Sequence, residues 1–334
     1  MKGLKVAITA AVIGSLMGTS SAQEKVVSEF YYDGSDKFIE QFNNTLLTQA
    51  KNLGCKVEQY DGKKNASLQL EQIEKTSGQN SPMLINMVDS HFAYDVVMKA
   101  RQNKRRIVFF NRKPDAQAVA DYPQAWYVGS VPQDSGRMQG ELVRNYIQRH
   151  SDWDRNGNGK LDVLVIKGEA NHDDTEMRTQ AALFELNKSG ISFKVVDSMY
   201  ANWSADQAYT AMKSAIKKYG MSGIDVVISN NDAMALGVLK ALNEYDFNLA
   251  GITDRENFVP VFGVDALPEA VKAVQEGRLA GTVCNDYNTM ARVALILASE
   301  ETTDPIELSK KVGFMIHDGF VNIPYKKLSV AVSE

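Results

Sequence analysis

Short apolar runs alternate with amphipathic stretches from Lys25 onward, and their two periods predict an ordered series of elements. Val26–Tyr31 reads as a strand, Asp36–Leu53 as a helix closed by Gly54, and Lys56–Tyr60 as a strand. The helix carries its inner stripe on Phe38, Phe42, Leu46 and Leu53. A helix over Leu68–Thr76, a strand over Met83–Val88, a helix over Tyr94–Gln102 and a strand over Ile107–Phe110 continue the series. Alternation of this kind implies a parallel sheet with helices on both faces.

After Tyr127, Val128 and Gly129 the scheme begins again. Helices are expected at Gln133–His150, Asp174–Lys188, Ser204–Lys218 and Ala233–Glu244, with strands at Leu161–Lys167, Phe193–Ser198, Val226–Ser229 and Pro260–Val264. Pro268 and Glu269 open another helix. Gly281–Asn285 reads as a strand, Thr289–Ser299 as a helix, and Phe320–Tyr325 as one last strand that closes the tail. Two strand ends match: the Ile107–Phe110 run stops at Asn111 with Pro114 three residues on, and the Pro260–Val264 run stops at Asp265 with Pro268 three residues on. The pattern predicts two similar α/β lobes facing a shared cleft, because open parallel sheets bind ligands outside the C-terminal ends of their strands.

Composition sharpens this. At 334 residues and 44% hydrophobic content the chain can fill two cores. Lys2 and Lys5, the uncharged run from Val6 to Met17 and the small residues Ser20, Ser21 and Ala22 read as an export signal cut after Ala22. Its loss moves the formal charge from −4 to −6, which disfavours nucleic acid as a partner. Cys55 and Cys284 read as two buried thiols rather than a disulfide.

Three groups of residues could carry chemistry. Asp154, Asn156, Asn158, Lys160 and Asp162 fall at positions 1, 3, 5, 7 and 9 of a loop with Gly159 at position 6, the oxygen spacing of an EF-hand-type Ca²⁺ coil. Position 12 is Val165, inside a strand, so the missing carboxylate must come from elsewhere. His172, Asp174 and Arg178 follow a strand end, where they face a cleft or, equally, cap a helix and pair on its surface. No activated nucleophile or Gly-rich phosphate loop accompanies them. Trp203 precedes a Ser204-to-Gln207 capping box and serves either as a hydrophobic staple or as a ligand-facing plate. Phe38 heads its helix's core stripe. Together with Asp36, Asn111, Asn231, Asp265 and Asn285, these residues offer amides, carboxylates and flat aromatic faces, a set suited to a neutral polyol.

The segments Val-Phe-Phe-Asn (108–111), Lys-Gly-Glu (167–169), Asn-Asp-Ala-Met-Ala (231–235), Pro-Val-Phe-Gly-Val-Asp-Ala-Leu-Pro-Glu-Ala (260–270) and Ala-Gly-Thr-Val with Asn-Asp (280–286) resemble the periplasmic galactose/glucose-binding proteins over nearly all of the mature chain. The resemblance implies two doubly wound parallel-sheet lobes joined by a three-strand hinge. Residues 23–130 plus 285–322 would form the N-terminal lobe, and 131–284 plus 323–334 the C-terminal lobe. It implies a monomeric binder, no enzyme, that delivers D-galactose or D-glucose to a membrane ABC transporter permease and serves a chemotaxis receptor. By that resemblance Asp36, Asn111, His172, Asp174, Arg178, Asn231, Asp265 and Asn285 bond the sugar, and Phe38 and Trp203 sandwich it. The distant acid of the Ca²⁺ loop falls on Asp225, shorter than the family's Glu, and Asn158 stands where the family often has Asp. A pentose binder and an exported glycoside hydrolase are the rival readings. A sugar-responsive regulator lacks any DNA-binding segment ahead of Lys25.

Overall fold

The computed structural model describes residues 25–150 and 152–329. The export signal read over residues 1–22 lies outside them.

Strands β1 (Lys25–Tyr31), β2 (Cys55–Asp61), β3 (Met83–Ile85), β4 (Ile107–Phe110) and β5 (Ala125–Gly129) alternate with helices α1 (Lys37–Asn52), α2 (Ala66–Lys75), α3 (Ala93–Gln102) and α4 (Ala116–Ala120). The second series runs α5 (Pro132–Arg149), β6 (Leu161–Lys167), α6 (Asp173–Lys188), β7 (Phe193–Tyr200), α7 (Ala205–Tyr219), β8 (Val226–Ser229) and α8 (Asp232–Asn243). It continues through β9 (Val261–Asp265), α9 (Pro268–Gln275) and β10 (Gly281–Cys284). The tail comprises α10 (Tyr287–Ser299), α11 (Pro305–Val312), β11 (Ile316–His317), β12 (Phe320–Asn322) and β13 (Lys326–Ser329).

One sheet has the order β11-β12-β5-β4-β3-β1-β2 and the other β13-β10-β9-β8-β6-β7. The runs 5-4-3-1-2 and 10-9-8-6-7 share one winding, so the molecule is two α/β lobes of like topology. In each, the strand order reverses beside the first strand of the series, the place where such sheets open a crevice. The chain passes between the sheets after β5, after β10 and after β12.

Local chemistry explains the elements. Asp36 caps α1 by accepting from the Phe38 and Ile39 amides, and Phe38, Phe42 and Leu46 follow at four-residue spacing into the core. Phe42 stacks on Phe110 of β4 at 4.0 Å. Leu53 departs from its expected place on that stripe: it is the C-cap, 62% exposed, because Gly54 at φ +64° turns the chain before the next turn forms. The single strand expected over Phe320–Tyr325 is also corrected. Phe320–Asn322 pairs with β5 in the first sheet, whereas the strand after Tyr325 pairs antiparallel with β10 in the second. Pro324 lies between them and has no N–H for a ladder. Cys55 is buried as expected and Cys284 only half-buried, and the two are not joined in a disulfide.

Glu29 lies fully buried on β1, and its carboxylate accepts the Gln59 amide at 2.7 Å. Burial pushes its pKa up from 4.5 to about 8. The folded state therefore holds the proton more tightly than the unfolded one. This group's contribution to stability is complete below pH 4.5 and is lost as pH rises through 8. Glu29→Gln should flatten the fall in urea midpoint across that window; an unchanged slope would assign it to other groups.

Candidate functional site

The C-terminal ends of both sheets meet around a cavity that all ten expected ligand-binding residues line. Asp36, Phe38 and Asn111 come from the first lobe. His172, Asp174, Arg178, Trp203, Asn231 and Asp265 come from the second, and Asn285 lies where the chain leaves β10 for the first lobe. Two more wall residues, Tyr32 and Arg112, escaped the sequence reading.

Backbone geometry aims several of these side chains. Asn111 adopts φ +60° directly after β4, and Asp265 adopts φ +124° as the last residue of β9. The matching strand ends are thus both left-handed, which is uncommon away from glycine and costs order 1 kcal/mol or more at each position. Trp203 at φ +63° lies edge-on to His172, with ring centroids 5.5 Å apart. A Cβ at Gly168 would fall 2.2 Å from its ring, so only glycine lets the indole pack against this strand end.

Hydrogen bonds decide which atoms are left to serve a ligand. The Asn111 Oδ1 accepts from Asn86 at 3.1 Å, and the Asn231 Oδ1 accepts the Met234 N–H at 3.0 Å. No protein acceptor holds the Nδ2 group of either among the described residues. His172 Nδ1 accepts the Asp174 N–H at 3.2 Å, which leaves Nε2 to carry the proton. Burial, reinforced by Arg112, pushes its pKa down to about 4, so the ring is a neutral donor. Arg178 is fixed by Ser135 Oγ at 2.9 Å, the Asn230 carbonyl and Asp174 at 3.6 Å.

Three carboxylates face this ring of donors. Burial raises the pKa of Asp36 and Asp174, and raises that of Asp265 well above the usual range despite the nearby Arg178 guanidinium. Asp36 is already engaged on both oxygens, by the Phe38 and Ile39 amides and by the Tyr32 hydroxyl. Arg112 stacks 3.7 Å above the Tyr32 ring and reaches across the cleft to Glu169, meeting its two oxygens at 3.0 and 2.9 Å. That ion pair joins the lobes.

A periplasmic binding protein domain model matches residues 30–302. The chain belongs to this family. It is 32% identical over 319 residues to a D-galactose/methyl-galactoside binding periplasmic protein of Haemophilus influenzae, covering 95% of this chain and 92% of that one. It is 22% identical over 284 residues to a ribose import binding protein of Salmonella typhimurium, covering 85% and 86%. Among solved structures it matches an ABC transporter solute binding protein from Bacillus halodurans with bound myo-inositol at TM-score 0.71 and 24% identity, covering 93% and 96%. As a periplasmic binding protein the chain is not an enzyme. His172 and Asp174 are wall residues of the cavity between the lobes.

The loop expected to hold Ca²⁺ lies in the second lobe, away from this periplasmic binding protein's cavity. Asp154 accepts the Asn158 and Gly159 amides at 3.0 and 2.8 Å, and Asn158 Oδ1 accepts the Lys160 amide at 2.8 Å. Gly157 and Gly159, at φ +69° and +76°, let the coil turn. Asp225 does come to the loop, but its oxygens accept the Arg155 and Asp162 amides at 3.0 and 2.7 Å, bracing the coil against the sheet. Buried Asp162 accepts the Asn156 and Asn158 side-chain amides at 2.7 and 3.1 Å and lies 3.2 Å from the Lys194 ammonium. The donor set is all oxygen, and after burial the Asp162 and Asp154 charges raise the Asp225 pKa further, as converging carboxylates do. Among the described residues, however, no three His, Cys, Asp or Glu side chains are gathered as a metal cluster.

Proposed function

We propose that this periplasmic binding protein captures D-galactose or D-glucose between its lobes and delivers it to a membrane ABC transporter permease, with a chemotaxis receptor as a second client. The observation that carries the reading is the single cavity lined from both lobes by amide and imidazole donors, three carboxylates and two aromatic plates. A pyranose has apolar C–H faces for Phe38 and Trp203, and hydroxyls that donate to Asp174 and Asp265 while accepting from Asn111, Asn231 and His172. The extended similarity to a galactoside-binding relative supports a hexose over a pentose. Export with cleavage after Ala22 and action as a monomer complete the reading.

Binding both lobes stabilises the closed state through contacts the open state lacks, and the transporter reads that state. The test is a thermal-shift panel of galactose, glucose, ribose, arabinose, allose and myo-inositol. Galactose or glucose should raise Tm by several degrees at saturation. A larger shift from ribose, arabinose or myo-inositol would replace the assignment.

For the second-lobe loop the proposal is one structural Ca²⁺ held by Asp154, Asn156, Asn158, the Lys160 carbonyl, Asp162 and Asp225. The oxygen donors and their spacing support it; Lys194 competes for Asp162. Added Ca²⁺ should raise the Tm of exhaustively chelated protein by a few degrees, independently of sugar. No shift would mean that the loop stands on its own hydrogen bonds.

A further inference from the structure

Asp265 is the last residue of β9, and the residue after it, Ala266, is also left-handed, at φ +56°. Two consecutive non-glycine residues in that region need support, because their own torsional preferences oppose it. The support comes from behind the cavity. Asp232, the first residue of α8, is wholly buried and is absent from the cavity wall. Its Oδ2 accepts the Leu267 N–H at 2.9 Å, and the Ala266 N–H is directed at the same carboxylate. Its Oδ1 accepts the Thr282 hydroxyl of β10 at 2.6 Å. Gly263 makes room for it: a Cβ there would fall 2.0 Å from Asp232 Oδ1.

We propose that Asp232 is a positioning residue whose carboxylate clamps the Ala266–Leu267 turn to β10 and so holds the Asp265 side chain aimed into the cavity. The clamp explains why a second buried carboxylate is tolerated so close to Asp265: its oxygens are matched by a hydroxyl and by backbone N–H groups that would otherwise be buried without partners. The proposal rests on the sugar-binding reading only where affinity is the readout.

The test uses full-length wild type, Asp232→Ala, Asp232→Asn and the double variant Asp232→Ala/Ala266→Gly. Asp232→Ala should lose about a hundredfold in hexose affinity, the scale of an angstrom-level misplacement of a binding group. It should also lose hydrogen-exchange protection at the Leu267 amide in the sugar-free protein. Asp232→Asn keeps an acceptor for the turn and a donor for the Thr282 oxygen, so it should hold both properties within a few-fold. Glycine at 266 removes the left-handed penalty and should restore at least about tenfold of the lost affinity. Should Asp232→Ala not fold, Thr282→Val carries the same comparison. Wild-type affinity in Asp232→Ala, lost affinity with Leu267 still protected, or no rescue by glycine would each overturn the proposal. If wild type binds no hexose the functional reading fails, while exchange at Leu267 still decides the clamp.

Discussion

Asp265→Ala should weaken hexose binding by about a thousandfold or more while leaving the sugar-free melting temperature equal to that of wild type or higher. Each buried hydrogen-bonding partner left unsatisfied costs about 1–3 kcal/mol, and a side chain gripping two hydroxyls loses both bonds at once. The stability half of the expectation follows from burial. Asp265 is 4% exposed, and its pKa is driven well above the carboxylate range first by that burial and then by Asp232 and Asp36, with Arg178 only partly compensating. A group so placed weakens the empty fold and is retained for its ligand. Calorimetric titration beside a thermal melt checks both halves. Affinity within tenfold of wild type, or a large drop in melting temperature, would show that Asp265 serves the fold instead.

Glu169→Ala should lower affinity by about ten- to a hundredfold and do so through faster sugar release. Glu169 is absent from the cavity wall, so its loss does not remove a sugar contact. What it removes is the partner of Arg112, whose guanidinium is left partly buried against Tyr32 and the Val88 carbonyl. Truncating one member of such a pair acts mainly on dissociation and costs about 2–5 kcal/mol when the pair is fully desolvated. Glu169 keeps 26% of its side chain exposed, so the lower part of that range applies. High salt should narrow the difference between variant and wild type. Stopped-flow release rates that match wild type would exclude a closing role for this pair.

The two-lobe plan was legible because strand and helix periods alternate cleanly and because Asn111 and Asp265 stand at corresponding strand ends. Both prove to be left-handed residues aimed at one cavity. Arg112 and Tyr32 were not legible. The pairing of Arg112 with Glu169 spans 57 residues and two lobes, and no local period reports a contact that exists only when the lobes meet. Tyr32 did leave a trace, four residues before Asp36 at the end of an apolar run, but a tyrosine there reads equally well as core. The switch of sheets after Asn322 was obscured by an apolar run that continues through Ile323; Pro324 was the available signal. Asp225 was placed at the loop by resemblance, yet its commitment to two backbone amides depends on where β8 enters the sheet, which spacing cannot supply.

The most direct test is a tryptophan-fluorescence titration with galactose and glucose, run on wild type and on Trp203→Phe. Of the three tryptophans, only Trp203 lines the cavity. The expected result is a saturable change in wild type with at least one of the two hexoses, lost or sharply reduced in Trp203→Phe. Folded wild-type protein that responds to neither hexose would contradict the assignment of this cavity to a hexose.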